Sequence, residues 1–288
     1  MDILWLDQPA CQDVSLVGGK AANLSRLAAA HRVPPGFCLT TAAYARWAGT
    51  TQEPFEMWEK LAAAYRGLAD RCGAENPPVA VRSSAVDEDS SGASFAGQHE
   101  TYLNIAGAKA VAQAVARCWA SASAERALEY RRRQGLATDS LCLAVLVQHL
   151  IPADVSAVVF SANPVTGSRD EVVINAGWGL GESIVGGTTT PDSFIVRKAD
   201  LAVASREIGE KQRMTVLAAD GTREVDVPRL LRRAATLDDR QAVEMARLAI
   251  ELETGLGWPV DVECCWHAGK LYLLQCRPIT TLKEQQCL

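Results

Sequence analysis

The 288-residue chain carries 29 basic and 34 acidic side chains, and its net charge of -5 offers no general attraction to nucleic acid or to an anionic membrane. No apolar run approaches the roughly 20 residues that a membrane span needs, and the start Met1-Asp2-Ile3-Leu4-Trp5-Leu6-Asp7 has acids where a secretory signal carries basic residues. Nine scattered cysteines, an odd number without metal-type pairs, read as free thiols of a reducing compartment, so a cytoplasmic location is expected.

Residues 20–30 place apolar side chains at helical spacing directly after Gly18-Gly19. Free N–H groups at a helix start, together with the charge of Lys20, suit a phosphate; a plain turn before a helix fits the same residues, and this is not the longer P-loop. Val33-Pro34-Pro35-Gly36-Phe37 leads into a short strand ending at Thr40-Thr41, and 42–72 reads as helix. Pro77-Pro78 breaks the chain before a strand, Val79-Ala80-Val81, that delivers Arg82, Ser83 and Ser84 at its tip. The acidic stretch Asp87-Glu88-Asp89 and the small residues of 90–97 then form either a backbone cover for phosphates or an ordinary surface loop. His99 reads as a packing or capping residue.

Residues 107–135 have a helical period, and the nearly continuous apolar run 141–150 is short enough for a buried strand. Further strands are predicted over 156–160 and 171–176. Glycine turns at Asn163-Pro164-Val165-Thr166-Gly167 and at Gly177-Trp178-Gly179-Leu180-Gly181-Glu182 flank them. Asp238 caps a helix running to about Thr254 and ended by Gly255 and Gly257. Strands and helices alternate without a regular βαβ beat, which predicts an α+β fold of two lobes, 1–147 and 148–288.

The chain ends in a hairpin, Trp258-Pro259-Val260-Asp261-Val262-Glu263 returning as Leu273-Leu274-Gln275-Cys276-Arg277-Pro278. Side chains alternate between the faces of a strand, so the loop length decides whether the polar residues coincide. A two-residue turn at Ala268-Gly269 sets Gln275 opposite Val262, away from Glu263. A three-residue loop His267-Ala268-Gly269 sets it opposite Asp261 and makes one polar face of Asp261, Glu263, Gln275 and Arg277. Oxygen ligands beside a guanidinium suit a Mg²⁺-bound polyphosphate; an exposed amphipathic hairpin fits as well. His31, His99, His149 and His267 lie in unrelated surroundings and predict no histidine metal site.

Taken in order, these segments resemble the ATP-grasp nucleotide-binding module of the phosphoenolpyruvate synthase, pyruvate phosphate dikinase and rifampicin phosphotransferase family. The motifs are Gly18-Gly19-Lys20-Ala21-Ala22-Asn23-Leu24, Val33-Pro34-Pro35-Gly36-Phe37, Val81-Arg82-Ser83-Ser84-Ala85 and the run 94–104. Asn163-Pro164-Val165-Thr166-Gly167, Gly179-Leu180-Gly181-Glu182, Thr190-Pro191-Asp192 and the closing hairpin complete the set. The resemblance implies ATP held between two lobes: Lys20 and Arg82 on its phosphates, Gly97 and Thr101 on a covering loop, Gln148 beside the adenine. It further implies Glu263 and Gln275 as Mg²⁺ ligands with Asp261 close by, and Arg277 stabilising charge on the transferring phosphoryl group.

Three departures stand out. The family's complete enzymes continue into a domain with a phosphorylated histidine and a domain that binds the phosphoryl acceptor, and neither lies in these residues. The stretch between Tyr44 and Val79 is shorter than usual, and Cys264-Cys265-Trp266 replaces the usual continuation after the metal glutamate. The expected function is therefore ATP-dependent phosphotransfer to a histidine on a separate partner, with AMP and phosphate released. Another separate protein would bind the small-molecule acceptor. A self-sufficient small-molecule kinase or ligase and a non-catalytic nucleotide-binding regulator are the alternatives.

Overall fold

The computed structural model describes residues 1–48, 55–86, 101–122, 129, 132, 142–280 and 282. It is an α+β chain whose ladders are all antiparallel, in two compact units that divide between Leu150 and Ile151; the turn 218–221 groups with the first unit. No helix among the described residues is long and apolar enough to cross a membrane.

The first unit is built on a five-stranded sheet. In chain order its elements are β1 (Ile3–Trp5), α1 (Val14–Leu27), β2 (Gly36–Leu39), α2 (Thr41–Trp47), α3 (Phe55–Cys72), β3 (Val79–Ala85), β4 (Thr101–Ile105), α4 (Ala108–Ala122) and β5 (Leu143–His149). The strand order is β1-β2-β5-β3-β4, so β5 lies at the centre. That position explains its unbroken apolar run, because both faces are covered and no alternation is required. Val145 and Val147 join Val79 and Val81 in a core closed by Leu61 and Leu68 of α3 and Val111 and Val115 of α4. The opposite face is packed by α1 through the buried Val17, Ala21 and Leu24. Each such valine or leucine side chain removed from water contributes about 1.5–3 kcal/mol. The predicted helix 42–72 is resolved into α2 and α3, with 49–54 outside the described residues.

In the second unit β6 (Val155–Phe160), β7 (Glu171–Trp178), the single turn α5 (Glu182–Val185), β8 (Asp192–Arg197) and β9 (Val203–Glu207) come first. The ribbon β10 (Arg213–Leu217) and β11 (Thr222–Asp226), the helix α6 (Asp239–Leu256), β12 (Val260–His267) and β13 (Lys270–Pro278) follow. Six strands form one sheet in the order β13-β12-β6-β7-β8-β9. One face packs against α6: Val262, Val159, Ile174 and Phe194 lie in one cross-strand row, and all four are fully buried. The helix starts as expected, with Asp238 and Gln241 forming a reciprocal capping box, and ends at Gly257 in the left-handed conformation. The eight cysteines among the described residues are all free, and burial pushes the Cys264 thiol well up.

Candidate nucleotide and metal site

In the first unit a helix does open at the glycines and carries Lys20, but a further turn of helix precedes it. α1 starts at Val14 and is broken at Gly18, where φ is 73° and ψ is 171°. The break lets the backbone press against β3, and a Cβ on Gly18 would lie 2.1 Å from the Ser84 carbonyl oxygen. Beyond it the helix restarts with a borrowed cap: the Ala21 N–H donates to Ser84 Oγ at 3.2 Å. Lys20 Nζ then donates to the Ser83 carbonyl at 3.4 Å, which holds the ammonium beside the strand that bears Arg82.

Cross-strand register places the other residues. Leu4, Cys38, Leu146, Arg82 and Thr101 form one row across all five strands. The first three are buried beneath α1, whereas Arg82 is half-buried and Thr101 exposed, so an apolar row turns polar at its β3–β4 end. Gln148 pairs with Gly36 and Ala80 two residues along β5 from Leu146, hence on the same face. Its buried amide donates to the Pro34 carbonyl at 3.2 Å. Lys20, Arg82, Thr101 and Gln148 thus gather on the α1 side of one sheet. Thr101 is the first residue of a strand, not part of a loop, and Gly97 and His99 lie outside the described residues.

The second unit concerns the hairpin, where the expected three-residue loop is wrong. His267 pairs with Lys270 across a two-residue Ala268-Gly269 turn, with φ of 48° and 71°. On its own that turn would send Gln275 to the wrong face. A β-bulge corrects it: Cys264 pairs with Leu273 but Glu263 pairs with Gln275, so Leu274 is the extra residue. Gln275 therefore lies opposite Glu263, not Asp261, and Arg277 takes the place opposite Asp261. All four polar side chains share the face of the sheet away from α6.

On that face Asp261 is buried, and Arg277 Nε donates to its Oδ2 at 2.9 Å. Burial holds its carboxyl above the usual carboxylate range, against the pull of Arg277, and the charge of Glu263 adds to the rise. Asp261 Oδ1 is buried with no hydrogen-bond partner. The side chains of Glu263 and Gln275 take part in no hydrogen bond or ion pair with the described residues. An orphaned carboxylate oxygen, a second carboxylate and an amide oxygen are a donor set for a hard cation, so the residues fit Mg²⁺. Among the described residues no cluster of three or more His, Cys, Asp or Glu offers a competing site.

Two polar residues on the same face were not singled out from the sequence. Val158 lies opposite Glu263, Asn175 opposite Val158, and Ser193 opposite Asn175. Only the pairing of β6, β7 and β8 lines them up with the hairpin. Asp192, by contrast, is wholly engaged: its buried carboxylate accepts from Lys211, from Gly209 N–H, and from Thr236 N–H and Oγ1. Glu182 is exposed at the start of the one-turn α5.

Comparison with known proteins places the chain in a family. Residues 46–287 match the family described as pyruvate phosphate dikinase, AMP/ATP-binding domain. The chain is 38% identical over 319 aligned positions to a probable phosphoenolpyruvate synthase of Methanocaldococcus jannaschii, covering 98% of this chain and 27% of that protein. It is 36% identical to the phosphoenolpyruvate synthase of Pyrococcus furiosus, covering 98% and 44%, and 37% identical to the rifampicin phosphotransferase of Streptomyces sviceus, covering 98% and 36%. The chain thus spans less than half the length of each of these relatives. Among solved structures, D-alanyl-alanine synthetase A of Vibrio cholerae aligns with 92% of this chain and 58% of its own at 13% identity and a TM-score of 0.36. On the match across 46–287, this chain belongs to the pyruvate phosphate dikinase AMP/ATP-binding domain family.

Proposed function

We propose that the chain binds Mg–ATP in an ATP-grasp manner and activates it for phosphoryl transfer, as the donor module of a dikinase-type phosphotransferase. The observation that carries this reading is the bulge at Leu274, which restores Asp261, Glu263, Gln275 and Arg277 to one face although the turn alone would separate them. In this reading Lys20 and Arg82 hold phosphate oxygens, Thr101 adds a hydroxyl beside Arg82, and Gln148 contacts the base. Gly97 belongs to a loop over the phosphates. Glu263 and Gln275 hold Mg²⁺, with Asp261 adjoining. Bound there, the cation neutralises charge on the phosphate oxygens.

The chain's own residues supply position and field. Arg277 is a fixed cation for the charge that develops on the transferring group, and Asp261 keeps its guanidinium in place through the 2.9 Å bond to Nε. The acceptor of the phosphoryl group is a histidine outside these 288 residues, and AMP and phosphate are the products. The match to a pyruvate phosphate dikinase AMP/ATP-binding domain supports nucleotide-dependent phosphoryl transfer, and the histidine acceptor follows from the family resemblance. Incubation with ATP, Mg²⁺ and a histidine-bearing domain of this family should release AMP in amounts matching the phosphohistidine formed. ADP as the sole nucleotide product would overturn the dikinase reading.

A further inference from the structure

The face of the second unit that carries the metal residues extends further than they do. Gln275, Glu263, Val158, Asn175 and Ser193 form one continuous row across β13, β12, β6, β7 and β8. Asn175 and Ser193 are half-buried, and the side chains of Gln275, Glu263, Asn175 and Ser193 all lack hydrogen-bond partners among the described residues. Several other polar groups in this unit are engaged internally, although Thr189 Oγ1 is also a buried atom without a partner among the described residues. Asn163 bonds its own loop and Glu171, Asp154 accepts from Ala268 N–H, and Asp192 is fully satisfied. Four aligned polar groups with no internal partner are a surface prepared for something else.

The row's spacing and chemistry narrow that down. Asn175 is two strands from Glu263, about 10 Å at the usual inter-strand distance. Side chains standing off a sheet at that separation do not share one small cation at 2.0–2.1 Å. They do span a phosphate chain tethered by a cation at the Glu263 end. Asn and Ser are neutral donors of the kind that hydrogen-bond phosphate oxygens. A carboxylate in either place would repel a polyanion that Asp261 and Glu263 already approach with negative charge. Val158 between them leaves the gap unobstructed by charge.

We propose that Asn175, assisted by Ser193, donates hydrogen bonds to the terminal phosphates of the bound nucleotide, on the far side of the chain from the metal residues. This rests on the Mg–ATP reading above and adds a binding contact to it. The test is calorimetric titration of the whole chain with ATP, ADP and AMP in the presence of Mg²⁺. Asn175→Ala should weaken ATP about tenfold, the loss of one hydrogen bond to a charged group, while AMP affinity stays within twofold. Asn175→Asp, which keeps the shape and adds a charge, should weaken ATP further and leave AMP within the same twofold. It carries the test if the alanine variant fails to fold, and Ser193→Ala should show a smaller loss in the same direction. A parent protein that binds no ATP would sink the proposed function itself. A parent that binds ATP, with folded variants that lose ATP and AMP equally or neither, would sink only the role of Asn175 and Ser193.

Discussion

Replacing Gly18 by alanine tests whether the break in α1 is what seats Lys20 beside Arg82. Two costs arise at once. Alanine at φ 73°, ψ 171°, a region open essentially only to glycine, is strained by about 1–3 kcal/mol. Its Cβ would also sit 2.1 Å from the oxygen and 2.4 Å from the carbon of the Ser84 carbonyl, which is backbone in the middle of a five-stranded sheet and cannot rotate aside. Relieving such overlap costs a further 1–3 kcal/mol or so. Together they amount to about 2–6 kcal/mol, a large share of an ordinary domain stability of roughly 5–15 kcal/mol. At about 2–4 °C per kcal/mol for a unit of this size, the first unit should melt roughly 4–24 °C lower in differential scanning calorimetry. Gly73→Ala supplies a control for overlap, since Gly73 has a positive φ of 63° but nothing within 4 Å of a new Cβ. Equal melting shifts for the two variants, or a Gly18→Ala protein that melts with the parent, would refute the reasoning.

Two further perturbations address the second unit. Asp261 has its carboxyl pKa raised by burial, so the folded state holds a proton that the unfolded chain releases; stability then falls as pH rises through that window and the penalty persists at neutral pH. Asp261→Asn should therefore raise the melting temperature at pH 7, by a margin that shrinks toward pH 4, while Mg²⁺-dependent turnover drops about 10²–10³-fold; a lower melting temperature at pH 7 would contradict the assignment. Lys211 and Asp192 are both fully buried, and Lys211→Met would leave that carboxylate without its cation. A loss of about 3–5 kcal/mol is expected in chemical denaturation, and a loss under 1 kcal/mol would show that the hydrogen bonds from Thr236 and Gly209 suffice on their own.

The parts of this fold that could be read directly from residues are those whose signals are local. The Asp238–Gln241 capping box and Gly257 bracket α6, and the apolar run of β5 marks a strand covered on both sides. What escaped reading was set by distant partners. β9 and β11 are largely exposed, so they lack the buried alternation that betrays a strand. The hairpin turn is the sharper case. Nothing local decides between a two-residue and a three-residue loop, and Ala268, which is neither Gly, Asn nor Asp, gives no strong signal for the tight turn. Asp154, over a hundred residues earlier in the chain, accepts a hydrogen bond from Ala268 N–H at 2.9 Å and holds the tight turn instead. Nor does Leu271-Tyr272-Leu273-Leu274 signal where an extra residue will bulge, since it is apolar on both sides of the break. Only the requirement that Cys264 and Leu273 stay on the α6 face places it at Leu274.

The bulge and the row of unpartnered side chains answer the same physical demand. A sheet face that is to hold a polyanion and a divalent cation must present groups that the protein has not already satisfied, and such groups cost stability in the empty state. Asp261 shows that cost most clearly: it is buried, Arg277 engages one of its oxygens, and the other has no partner at all. A chain selected for stability alone would replace it with an apolar residue, as its neighbours Val260 and Val262 already are. It keeps instead a carboxylate, an amide and a guanidinium in register, at the price of an extra residue in β13. The α6 face of the same strands is mainly apolar, and the buried carboxylate there, Asp192, is fully satisfied by Lys211, Gly209 and Thr236. Two faces of one sheet thus differ: Val262, Val159, Ile174 and Phe194 hold the unit together, and Gln275, Glu263, Asn175 and Ser193 keep the unused hydrogen-bonding capacity that the proposed ligand requires.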